Sequence, residues 1–183
     1  NFSIGFNKLA DFNNQFYFDG ANTGSITDHW RERALRIAPD DLDNFGSGLA
    51  YETGAIFFFY YDNIYESDFI NQANVPVHKS QFVDRRGGLS ELQFGLAGTY
   101  KEVLSLGLAV GIPMLTFTED KTYEEQDPLQ NNPVFEKLSY TEYLKTEGSG
   151  VNLKLGAILK LHKSFRLGLS FQTPTLFELD DTY

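Results

Sequence analysis

Strict two-residue alternation, a small-residue face opposite each aliphatic face, and connections of unequal length predict an all-β protein. The specific expectation is an antiparallel transmembrane β-barrel wall with long loops at one end, one of them carrying a short helix. In the clearest stretch Leu104, Leu106, Leu108, Val110, Ile112 and Met114 fall on one face, and Ser105, Gly107, Ala109, Gly111 and Pro113 on the other. Side chains alternate across a strand but wind around a helix, so this period marks a strand. A soluble sheet alternates as well, and a soluble β-barrel or sandwich is the rival reading. The small-residue face separates the two. It holds Gly, Ala, Ser, Asn and Gln with an occasional charge, where a water-facing sheet usually carries Lys, Glu and Thr. Small residues suit a crowded barrel interior. The aliphatic faces run for about nine to eleven residues, which a tilted strand needs to cross hydrocarbon.

The elements follow in chain order. Phe2, Ile4 and Phe6 alternate with Ser3, Gly5 and Asn7, and the parity continues through Phe12, Phe16 and Phe18, giving a strand near 1–19. Residues 20–88 read as a long polar loop. Within it, the stretch from Ser25 or Thr27 to Ile37 has Asp28 near its start and Arg31, Arg33 and Arg36 later, the charge order that suits a helix dipole. A strand near 89–100 sets Leu92, Phe94, Leu96 and Tyr100 against Glu91, Gln93, Gly95, Ala97 and Thr99, and a short turn leads into the strand near 103–118. A second long loop covers 119–136. Strands near 137–161 and 165–180 form another hairpin around His162, Lys163 and Ser164, with Leu153, Leu155, Leu167 and Leu169 among the aliphatic positions. Pro113 and Pro174 mark bulges or kinks, because proline cannot donate to a ladder. All strands are assigned to one domain, 1–183.

Composition narrows the function classes. The chain has 183 residues, a formal charge of -10 and no cysteine. It lacks the basic footprint that nucleic-acid binding requires. Thiol chemistry and thiolate metal sites are out. No run approaches the about 20 apolar residues of a membrane-spanning helix. The opening at Asn1, already within a strand, suggests a mature segment or a fragment.

The stretch Leu138 to Tyr183, LSYTEYLKTEGSGVNLKLGAILKLHKSFRLGLSFQTPTLFELDDTY, resembles the FadL/TodX family of outer-membrane transporters, in particular its Bacteroidetes-type members. The opening NFSIGFNKLADFNNQF and the strand LSLGLAVGIPMLTF fit the same pattern. The resemblance implies a central fragment of an about fourteen-stranded monomeric barrel in the Gram-negative outer membrane. It further implies passive uptake of hydrophobic small molecules such as long-chain fatty acids, contact with outer-membrane lipid and lipopolysaccharide, and no cofactor. A general porin is a third reading. Nothing in the chain resembles the family's N-terminal hatch, and five strands cannot close such a barrel.

Two sets of residues are candidates for ligand contact. Ile56, Phe57, Phe58, Phe59, Tyr60 and Tyr61 form the most apolar piece of the first loop, and would line a surface groove, pack the loop's own core or extend a strand. Lys154, Lys160 and Arg166 lie at lumen-side parity, and would contact a carboxylate headgroup or form internal ion pairs. The acidic segment from Glu119 to Glu147 matches no calcium loop and reads as a solvated face. His29, His78 and His162 are far apart in sequence, and no nucleophile elbow or phosphate loop is present, so neither an enzyme nor a metal site is expected.

Overall fold

The computed structural model describes residues 1–69, 75–127 and 132–183. Residues 70–74 of the first predicted loop, and 128–131 of the second, lie outside the described residues. The chain is mostly antiparallel β-sheet. Its elements are β1 (Phe2–Asp11), β2 (Asn14–Thr23), α1 (Ile26–Ala34), a 3-10 turn (Pro39–Asp41), α2 (Ser47–Glu52), β3 (Phe57–Phe59), β4 (Ile64–Glu66), β5 (Pro76–Tyr100), β6 (Leu104–Gln126), β7 (Lys137–His162), β8 (Phe165–Gln172) and β9 (Leu176–Thr182). No helix among the described residues is long and apolar enough to cross a membrane.

Seven strands make one sheet with the order β1-β5-β6-β7-β8, where β2 also pairs β5 and β9 also pairs β7. β3 and β4 form a separate hairpin. Phe2, Ile4 and Phe6 stand opposite Leu96, Phe94 and Leu92, and Leu155 and Ala157 opposite Phe171 and Leu169, so the aliphatic positions share a face as the alternation requires. Gly5 against Gln93 and Gly156 against Ser170 occupy the other face.

The chain divides into two units. Unit 1 is Asn1–Gln15, Val83–Asp120 and Glu142–Tyr183; unit 2 is Phe16–Phe82 and Lys121–Thr141. Unit 1 holds the apolar sheet. Its first strand breaks at Phe12 and Asn13, opposite Gly87. Here the Phe12 N–H donates to the Gly87 carbonyl at 3.1 Å, and the Gly87 N–H donates to Asn13 Oδ1 at 3.0 Å. Gly87 has φ +124, and a Cβ there would run into the Thr116 carbonyl, so only glycine fits. The last strand breaks at Thr173–Thr175, around Pro174. The Thr173 hydroxyl accepts the Leu153 N–H at 3.0 Å in place of a ladder carbonyl. Pro113, by contrast, lies within an unbroken β6 and is buried.

The strands run further than their hydrophobic pattern. β5 starts at Pro76 rather than near 89, and β6 continues to Gln126 rather than ending near 118. These extensions carry charge on both faces, which hides the two-residue period from a hydrophobicity reading. Polar side chains pair across them. In unit 1 Arg85 forms an ion pair with Glu119 at 2.5 Å, and in unit 2 His78 lies within hydrogen-bond distance of Asp19 at 3.2 Å. α1 stops three residues before its predicted end. Leu35 leaves helical geometry at ψ 128, and Arg36 turns left-handed at φ 67.

Candidate functional site

Unit 2 builds a cavity beside α1, the longer of its two described α-helices. Ser25 and Asp28 close a capping box at the start of α1: the Ser25 hydroxyl accepts the Thr27 N–H at 3.1 Å and the Asp28 carboxylate accepts the Ser25 N–H at 3.1 Å. The fully buried Glu125 of β6 then holds the cap in place. It accepts the Ser25 hydroxyl at 2.5 Å, the Ile26 N–H at 2.8 Å and the Tyr123 hydroxyl at 2.6 Å, with Lys79 at 3.9 Å. A buried carboxylate so supplied with donors is a fixed point rather than a reactive one.

From that anchor α1 drives Trp30 and Ala34 into a small core with Ala50, Ile56 and Tyr65. Trp30 meets Tyr140 of β7 edge to face at 5.2 Å. The Tyr140 hydroxyl donates to the Phe45 carbonyl at 2.8 Å, and the Tyr65 hydroxyl to the Ile37 carbonyl at 2.9 Å. Burial pushes the Tyr65 phenol above its ordinary pKa, so it stays a donor. Beside this core lies a cavity of about 480 Å³, lined by Trp30, Ala50, Phe69, Phe135, Leu138 and Tyr140 together with polar groups such as Thr27, Thr53 and Ser139. Its size falls within the range of small-molecule pockets. The charged lining groups are Asp68, Glu136 and Lys137, and Lys137 is paired with Glu124 at 2.6 Å. The remaining charge is negative. An uncharged molecule suits the cavity better than a carboxylate does.

The predicted aromatic run is placed otherwise. Ile56 is fully buried, and Phe58 packs on Tyr65 and Tyr60, each at 4.9 Å. Ile56 therefore belongs to the packing core and not to a surface groove. Phe57 and Phe59 are partly exposed on β3, while Tyr60 and Tyr61 project from the β3–β4 turn, Tyr61 without any cover. None of the six lines the cavity.

The three predicted cations separate as well. Lys154 Nζ is bound to the Glu91 carboxylate, which is 1% exposed, and reaches Gln93 Oε1 at 3.5 Å. Its role is the internal ion pair. Beside it, Asn152 donates to Thr175 Oγ1 at 3.2 Å while its buried Oδ1 has no partner. Lys160 and Arg166 face each other directly across the β7–β8 ladder. Among the described residues no group of three or more acidic or histidine side chains is placed to hold a metal.

Sequence reading missed Trp30, Phe69, Phe135 and Tyr140. Trp30 is the sole tryptophan, on a helix whose cap was legible, and that pairing was the available signal. Phe69, Phe135 and Tyr140 are far apart in sequence, and only the fold brings them together. Compared with protein-family models, with curated proteins and with solved structures, the chain matches none.

Proposed function

We propose that the chain is part of the wall and loops of an outer-membrane β-barrel that admits hydrophobic small molecules by passive diffusion, without catalysis or a cofactor. The observation that carries this reading is the exposed apolar face of the unit 1 sheet. Leu106 and Leu169 are 55% and 76% exposed, and with Leu96, Leu108, Leu155 and Phe171 they line one continuous apolar hollow. Contiguous apolar surface of this extent is unstable in water and stable against lipid. The opposite face supports the same reading. Ser3, Gly95, Ala97, Gly107, Ala109 and Gly156 leave room for side chains from a facing wall. The sheet order ends on β1 and β8, whose outer edges call for further strands, since hydrocarbon tolerates no unpaired ladder.

The unit 2 cavity then serves as a capture site for uncharged hydrophobic compounds in preference to fatty-acid carboxylates, given its acidic lining. The test is to express the complete reading frame, extract it with detergent, and compare gel mobility with and without heating. Heat-modifiable mobility and detergent-dependent solubility are expected. A monodisperse monomer without detergent would sink the proposal. In liposomes, a neutral aromatic probe should enter faster than a long-chain carboxylate of similar size, and Trp30→Ala should slow its capture.

A further inference from the structure

Negative charge is gathered in unit 2, which has 14 Asp and Glu against 6 Lys and Arg and so carries -8 of the chain's -10. An acidic field of this size concentrates cations near the surface. Two of the carboxylates, Asp68 and Glu136, line the cavity beside α1, and among the described residues neither has an ion pair. Lys137, the basic group of the lining, is taken up by Glu124. The described lining therefore carries negative charge without a counter-charge of its own.

The walls add a second attraction for a cation. Trp30 of α1 and Tyr140 of β7 stand edge to face at 5.2 Å, and Phe69 after β4 and Phe135 before β7 do so at 4.6 Å. All four rings line the same cavity as the two carboxylates. The face of an aromatic ring is electron-rich and attracts a positive group, most strongly where water is excluded, and Trp30 and Phe69 are buried. A hydrated inorganic cation would use the carboxylates and leave the rings idle. A neutral hydrocarbon would use the rings and leave the carboxylates unanswered. An alkylated or arylalkyl ammonium engages both.

We propose that the unit 2 cavity binds hydrophobic organic cations, amines or quaternary ammonium compounds, in preference to neutral molecules of the same shape. This deepens the capture reading above and rests on it: the acidic lining that ranks an uncharged molecule over a carboxylate ranks an ammonium over both. A volume of about 480 Å³ admits an arylalkyl ammonium.

The test titrates the complete protein in lipid nanodiscs by calorimetry with benzyltrimethylammonium and with neopentylbenzene, its neutral isostere, and subtracts partitioning into empty discs. The cation should bind about tenfold tighter. In D68N/E136Q that preference should fall to about twofold or less, while D40N/D41N, which removes the same charge from exposed positions outside the cavity lining, should keep it. Phe135→Leu keeps apolar bulk and removes one ring, so it should weaken the cation more than the isostere. Equal affinity for the two probes would overturn the proposal and leave a capture site indifferent to charge. An equal loss in both acid-to-amide variants would overturn it by tracing the preference to diffuse surface charge. The probe comparison uses wild-type protein, so it stands even where a variant does not fold. Binding of neither probe would remove the capture site itself, and this inference with it.

Discussion

Gly111 shows how one missing side chain governs a buried polar group. A Cβ there would stand 2.5 Å from Asn152 Oδ1 and 2.7 Å from Glu91 Oε1, inside contact distance of both. Neither oxygen moves cheaply, because Glu91 is bound to Lys154 and Asn152 to Thr175. Gly111→Ala should destabilise by about 1–3 kcal/mol, as overpacking does. Gly156→Ala, which points into open space, should lie within about 0.5 kcal/mol of wild type in urea unfolding from micelles. Lys154→Ala leaves the Glu91 carboxylate buried without its cation. Breaking a fully buried pair costs about 3–5 kcal/mol, but Lys154 keeps a quarter of its side chain in solvent, so a loss of about 2 kcal/mol is expected by the same measurement.

Among the elements, α2 depends on a cap outside itself. Asp43 Oδ1 accepts the Phe45 N–H at 3.0 Å and the Gly46 N–H at 2.5 Å, and Oδ2 accepts the Ser47 N–H at 3.1 Å. Partial burial raises the pKa of this carboxyl, yet the three N–H donors outweigh it and hold the pKa below the usual 3.8. A depressed folded pKa means that the contribution is present above the unfolded value and lost as pH falls through the folded one. Asp43→Ala should therefore cost about 1 kcal/mol at neutral pH, and the difference from wild type should close as pH falls below about 4. Sequence reading placed α1 from Ser25 and Asp28, but had no comparable signal for α2, whose cap spans a turn and whose interior is short. The same limit explains β5 and β6. Leu92, Phe94 and Leu96 announce a strand because one face is apolar, whereas Lys79, Asp84, Arg85 and Arg86 conceal one because neither face is. The cavity was illegible for a further reason: Trp30, Phe69 and Phe135 converge only after the chain has folded, while Ile56 and Phe58, the greasiest neighbours in sequence, went into packing.

For the whole molecule the decisive property is whether the aliphatic side of the unit 1 sheet meets lipid or water. Leu106 and Leu155 stand near the middle of the aliphatic face, half exposed with no protein over them. If hydrocarbon covers them, an arginine at either must carry its charge toward the bilayer midplane, at a cost of about 2–4 kcal/mol. Leu106→Arg and Leu155→Arg should each lower the heat-modifiable, folded fraction of the complete protein. Gly107→Arg, on the opposite face of the same strand, should insert normally and act by filling the interior. Asp62→Arg, exposed in the β3–β4 turn, should change neither. The loop control belongs in unit 2 because Asn131, an obvious alternative in the second loop, lies outside the described residues. A water-facing sheet gives the opposite ranking. Arginine at Leu106 or Leu155 would then improve solubility without detergent, and only the interior substitution would disturb folding. The order of these variants in one folding assay therefore decides between a barrel wall in lipid and an apolar sheet awaiting a soluble partner.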